Sequence, residues 1–191
     1  MIELLNEKYD FVLASQSPRR QKLLKALGID FILRRSNLEK EIVSDKISEP
    51  NEASELAKLK AEHTEIRNEN EIIITADTTV SCEDIILGKP ENYSEAFQML
   101  KKLSGKTHKV ITGVCIKDIN DTETFYAETK VKFSSLDDEE IRNYIERYKP
   151  YDKAGAYGIQ EWIGYIGIES LEGSYYNVVG LPVQQLYQKL K

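Results

Sequence analysis

Cysteine is close to absent from this chain. Cys82 and Cys115 stand alone, too few for a disulfide framework or a four-ligand zinc site, so both read as free buried thiols of a reducing compartment. Histidine is as scarce: His63 reads as helix surface and His108 as a residue at the start of a strand. His108 has no cysteine or aspartate spaced to complete a nucleophilic triad. No apolar run approaches the ~20 residues of a membrane span, and the polar, acidic N-terminus does not fit a signal peptide. A cytoplasmic protein with no membrane partner is expected. Net positive charge is missing too. The formal charge is −6, which argues against non-specific nucleic-acid binding. There is no Walker A sequence, no dinucleotide fingerprint, no internal repeat and no low-complexity tract.

What is present describes a folded α/β protein. With 191 residues, 41% hydrophobic and 30% charged, residues 1–191 form a single domain, organised as two closely joined lobes. The most informative stretch is FVLASQSPRRQKLLKALG, residues 11–28. An apolar run suited to a buried strand breaks into Ser15-Gln16-Ser17. Ser17 then caps a helix whose first residue is Pro18 and whose end is Gly28. Arg19 and Arg20 sit in its first turn, at the positive end of the helix dipole, where an exposed cation costs up to ~1 kcal/mol. An anion on the free N–H groups would reverse that sign, so the stretch reads as a phosphate cradle.

Further along, a second strand (29–33) leads into a polar loop with Glu39, Glu41 and Asp45. A helix is expected over 51–67, with Lys60 central on its apolar face. Such a lysine either snorkels to the edge or reaches an anion in a cleft. Ile72-Ile73-Ile74 predicts a strand covered on both faces, with Asp77 at its carboxyl end, where open α/β sheets place ligands. A small hairpin is expected around Glu83-Asp84. Asn92 with Glu95, and Asp137 with Glu140, have the spacing of capped helix starts. Two alternating runs flanking Asn120-Asp121 predict an antiparallel pair. In the Gly- and Ala-rich stretch 152–160, Asp152-Lys153 reads as a structural ion pair. Residues 162–171 read as a strand, and Pro182 starts the last helix.

Chemistry-bearing residues therefore comprise Ser15, Arg19 and Arg20 at a helix start, Lys60, Lys89, Asp77, and the loop carboxylates Glu39 and Glu41. Cations to neutralise phosphates and acids to hold Mg²⁺ are what phosphoryl or nucleotidyl chemistry requires. The residues alone reach a phosphorylated small molecule handled with a divalent metal.

Six strings in order carry a resemblance: ASQSPRR (14–20), ADTTV (76–80), LGKP (87–90), LSGKTHKVITGV (103–114), DKAGAYGIQ (152–160) and GSYYNVVGLP (173–182). Together they resemble the Maf family of nucleoside triphosphate pyrophosphatases. That resemblance implies a mixed twisted sheet with flanking helices, related to the inosine triphosphate pyrophosphatases, with two lobes around a central cleft. It also implies a homodimer and hydrolysis dependent on Mg²⁺ or Mn²⁺, releasing a monophosphate and pyrophosphate. Asp77 matches the catalytic carboxylate, as proton acceptor for the attacking water, as metal ligand, or both. Ser15, Arg19, Arg20, Lys60 and Lys89 match residues that hold the phosphates and stabilise charge developing at the scissile phosphorus, with Lys60 and Lys89 among the catalytic residues. Glu41 is chosen for the loop glutamate that also serves catalysis and the metal, with Glu39 in reserve. Arg19, Thr78 and Gln160 match the dTTP/UTP subgroup, and modified pyrimidines are included in the expectation. A glutamine amide can both donate to and accept from a pyrimidine edge. Glu161-Trp162 departs from the family pattern, where relatives carry glycine. The alternatives are a 7-methyl-GTP pyrophosphatase, whose subgroup shows Trp, Gln and Glu at the three base-setting positions, and a non-catalytic nucleotide-binding regulator of cell division.

Overall fold

The sheet is built on the isoleucine run. Strand β3 (Glu71–Cys82) carries it and is buried along nearly its whole length. The computed structural model describes residues 2–38 and 51–191. Before β3 come helix α1 (Ile2–Lys8), strand β1 (Asp10–Leu13), helix α2 (Pro18–Ala26), strand β2 (Phe31–Leu33) and helix α3 (Asn51–Glu62). After it come β4 (Ile85–Leu87), α4 (Tyr93–Leu103), β5 (Thr107–Lys117), β6 (Thr122–Phe133) and α5 (Asp138–Tyr148). A 3₁₀ turn (Ala154–Ala156), α6 (Trp162–Gly167), β7 (Ile168–Glu172), α7 (Tyr175–Val179) and α8 (Val183–Leu190) complete the chain. Among the described residues seven strands form one mixed sheet in the order β2-β1-β3-β5-β6-β7, with β4 paired to β3. This is the expected α/β architecture with helices flanking a mixed sheet. None of the described helices is long and apolar enough to cross a membrane.

Two compact units divide the described residues. The first takes those up to Asp77 together with Thr112–Ala127 and Gly180–Lys191; the second takes Thr78–Ile111 and Glu128–Val179. In the first, β1 pairs in parallel with both β2 and β3, in a register that sets Leu13 beside Leu33 and Ile74. Phe11, Leu13, Ile72 and Ile74 meet Leu24 of α2 and Leu186 of α8 on one face, while Val12 and Ile73 pack with Ile66 on the other. Covering both faces is why the strands read as continuous apolar runs. An ion pair closes one end of this layer. Arg34, just past β2, grips Glu71 at the start of β3 through two bonds of 2.7 and 2.6 Å. That fork holds the Glu71 carboxyl below its ordinary value, against the opposing effect of burial.

The second unit has its own core of Leu100, Leu103, Phe133, Ile141, Tyr144 and Ile145. Both helix caps form as expected: Asn92 accepts from the Glu95 N–H, and Asp137 with Glu140 makes a reciprocal capping box. The β3–β4 hairpin turns at Glu83 and Asp84 with φ of 52° and 61°, the left-handed pair of a two-residue turn.

Three expectations change. The 51–67 helix stops at Glu62, because the Ser36 and Thr64 hydroxyls both donate to the Lys60 carbonyl and satisfy the end of the helix. Residues 162–171 are helix α6 followed by β7, not one strand. A Cβ on Gly164 would stand 1.8 Å from the Ile159 carbonyl oxygen, so the bare glycine permits a tight helical turn despite the β-favouring Trp, Ile and Tyr around it. Asp77 lies within β3, five residues before its end. Helices α1 and α7 were not anticipated; α1 carries no Pro or Gly punctuation and docks through Ile2 and Leu5.

His108 is buried between Phe133 and Tyr157, its Nε2 2.8 Å from the Tyr157 hydroxyl. Burial pushes its pKa down to about 4. Below the ordinary histidine value the unfolded chain binds a proton that the folded one does not, so stability falls with falling pH through that window. The other histidine, His63, is exposed. About 2 kcal/mol of stability is expected to be lost between pH 6.5 and 5. Urea unfolding across that range measures it, and His108→Gln should flatten the slope.

Candidate active site

Helix α3 lies on β3 closely enough for side chains two residues apart on the strand to reach it. Thr75 and Asp77 alternate onto the same face. The Thr75 hydroxyl donates to the Ala57 carbonyl at 2.5 Å, and Asp77 meets Lys60, one turn further along the helix. The approach depends on Gly113 in β5: a Cβ there would fall 2.2 Å from the Ala53 carbonyl carbon and 2.3 Å from the Ser54 nitrogen. Any other residue would lift α3 and move Lys60 with it.

Lys60 Nζ donates to Asp77 Oδ1, and each side chain is only 13% exposed. Rather than snorkelling to the edge, the Lys60 ammonium pairs with the chain's own Asp77. Asp77 does not end its own strand, which runs on to Cys82. Its parallel neighbour β1 stops opposite Ile74, so Asp77 stands beyond the carboxyl end of β1 though not of β3.

The start of α2 lies in the same unit. Ser17 occupies the N-cap with extended backbone, but its side chain makes no cap bond. Instead the Ser15 hydroxyl accepts from the Ser17 N–H at 3.2 Å and shapes the turn. Pro18 is at the first helical position, and no acidic residue occupies the first turn. Arg19 and Arg20 are half-buried; Arg20 Nε donates to the Gly180 carbonyl at 2.8 Å, which fixes the guanidinium against the segment before α8. A hollow beside the turn is lined by Ser15, Gln16, Gln21, Leu33, Arg34 and Arg35. Cations and backbone donors in this turn suit a polyphosphate.

The second unit carries the remaining candidates. Thr78 follows Asp77 in β3 and is half-buried; Lys89 is exposed just past β4. The Gly88 carbonyl accepts from the Gly155 N–H at 3.0 Å, tying the Lys89 loop to the 3₁₀ turn. Gln160 is half-buried, with Oε1 buried and unpartnered. Beside it the sequence reading missed a network of Tyr144, Lys153 and Glu161. The expected Asp152–Lys153 pair forms at 2.7 Å, but Lys153 also serves Glu161. The available signal was a lone glutamate entering an otherwise apolar helix. Glu41 and its reserve Glu39 lie outside the described residues.

Among the described residues no group of three or more His, Cys, Asp or Glu converges as a metal site. The donor chemistry still fits a hard divalent cation. Mg²⁺ needs only one or two carboxylates alongside phosphates and water, and Asp77 supplies one, with Lys60 engaging a single oxygen.

A family model described as Maf-like protein matches residues 10–191. The chain belongs to the Maf family. Among curated Maf relatives, a protein of Parabacteroides distasonis is 51% identical, covering 100% of this chain and 99% of its own. One from Phocaeicola vulgatus is 50% identical with the same coverage. One from Porphyromonas gingivalis is 48% identical over 97% of this chain and 94% of its own. All three bear the name dTTP/UTP pyrophosphatase.

In this Maf chain the Lys60–Asp77 pair is sheltered enough that removing one partner strands a desolvated charge. Lys60→Met is expected to lower stability by about 3 kcal/mol, whereas Lys60→Met with Asp77→Asn recovers part of that loss. Urea midpoints for the double-mutant cycle measure the coupling; strictly additive effects would contradict the contact.

Proposed function

We propose that this chain hydrolyses dTTP and UTP to the monophosphate and pyrophosphate, and that modified pyrimidine triphosphates are accepted as well. The observation that carries the reading is the sheltered Lys60–Asp77 pair on α3 and β3. It sets a carboxylate beside an ammonium, a pairing suited to attack of water at a phosphorus. The names of the relatives support the base preference.

In this mechanism Asp77 accepts a proton from the attacking water, whose oxygen forms the new bond to the α-phosphorus as the bond to the pyrophosphate oxygen breaks. Lys60, released from Asp77, donates to a phosphate oxygen as charge builds there. Ser15, Arg19, Arg20 and Lys89 hold the phosphates, Arg20 in an orientation set by the Gly180 carbonyl. Thr78 and Gln160 read the base. Asp77 and Glu41 would hold Mg²⁺ or Mn²⁺, which when bound neutralises phosphate charge and lowers the pKa of water. A cytoplasmic homodimer is the proposed working form.

A panel of triphosphates incubated with Mg²⁺ or Mn²⁺ and assayed for pyrophosphate tests the reading. The expected result is preference for dTTP and UTP, with Asp77→Asn slowing turnover about 10²–10⁴-fold, the range of a lost general base. Preference for 7-methyl-GTP, nucleotide binding without turnover under either metal, or a fully active Asp77→Asn would each contradict it.

A further inference from the structure

The second unit holds a sheltered charged network that the proposed chemistry leaves unused. Tyr144 on α5 donates its hydroxyl proton to Glu161 Oε2 and accepts from the Gly158 N–H at 3.0 Å. Lys153 Nζ stands 3.2 Å from Glu161 Oε1 and 2.7 Å from Asp152 Oδ1. The Lys153 and Glu161 side chains are 9% and 18% exposed, so this is no solvated surface pair. Burial first, then the Glu161 carboxylate, push the Tyr144 phenol far above its ordinary value, and it remains a donor throughout the working pH range.

These contacts grip both ends of the segment that carries Gln160. Gly158 is held at its N–H by Tyr144, and its carbonyl accepts from the Glu161 N–H at 2.9 Å. A Cβ on Gly158 would lie 2.8 Å from the Glu161 carboxyl carbon and 3.0 Å from Gln160 Nε2. The carboxylate and the amide therefore rest against the same bare α-carbon. With the amide lodged there, Gln160 Oε1 is a buried acceptor without a donor, and a donor from outside the chain would satisfy it.

We propose that Tyr144, Glu161 and Lys153 are positioning residues that lock the Gln160 amide so that Oε1 accepts from the ring N–H of an imide base, favouring uracil and thymine over cytosine. Uracil and thymine carry a proton at that ring nitrogen. Cytosine presents a lone pair there, which would face the carbonyl acceptor to acceptor. An amide free to rotate would offer its NH₂ group instead and lose the distinction. The proposal rests on the reading of Gln160 as the residue that meets the base.

The test is titration calorimetry in EDTA with UTP, CTP and inorganic tripolyphosphate, on wild type, Glu161→Gln, Tyr144→Phe and Lys153→Met. Tripolyphosphate reports the phosphate grip and an intact fold without the base. The variants are expected to lose about tenfold in UTP affinity, as for one specific hydrogen bond, while CTP and tripolyphosphate stay within about twofold. The wild-type preference for UTP over CTP then falls towards one. Wild type with no such preference, variants that keep UTP affinity, or variants weakened equally for all three ligands would overturn the proposal. Wild type that prefers UTP in this titration yet releases no pyrophosphate would remove the hydrolytic reading and leave the positioning role standing.

Discussion

An ammonium and a carboxylate pressed together out of water are the constraint on which the first unit depends. Lys60 and Asp77 meet because α3 lies almost against the backbone of the sheet, and α3 can lie there because Gly113 has no side chain. Taking two charges out of water is expensive, and their mutual attraction roughly offsets rather than exceeds that penalty. A pair with little net stabilising value is better explained by what it can do. In the proposed mechanism a triphosphate takes Lys60 as its partner and frees Asp77 to act on water.

The same economy explains the start of α2. Two arginines in a first turn with no acidic residue oppose the helix dipole, and the Ser17 side chain leaves the helix start uncapped. Each local rule is broken in the direction that favours an anion. The second unit shows a different device. Its sheltered charges are partnered among Tyr144, Lys153 and Glu161, and one buried polar atom beside them, Gln160 Oε1, is left over. In the proposed arrangement those three side chains form the support, and the unmet hydrogen bond belongs to the residue they support.

Much of this was legible before any coordinates. Three isoleucines between polar flanks implied a strand covered on both faces, and the cap spacings at Asn92 and Asp137 located two helices to the residue. The helical period put Lys60 on the buried face of α3, though its partner could not be read from periodicity, because the contact is set by Gly113 far along the chain. Residues 162–171 misled because Trp, Ile and Tyr favour strands, while the decisive fact, the close approach of Gly164 to the Ile159 carbonyl, is tertiary. Glu161 was noticed only as a departure from pattern. Its role needs Tyr144 and Lys153 brought alongside, which only folding does.

In the proposed mechanism a nucleotide's phosphates displace Asp77 as the partner of Lys60. A crystal structure with a non-hydrolysable α,β-imido analogue of UTP tests it most directly. The expected complex has Lys60 Nζ on a phosphate oxygen and Asp77 hydrogen-bonded to a water about 3–3.5 Å from the α-phosphorus. A Lys60–Asp77 contact left intact, with the phosphates bound elsewhere, would contradict it.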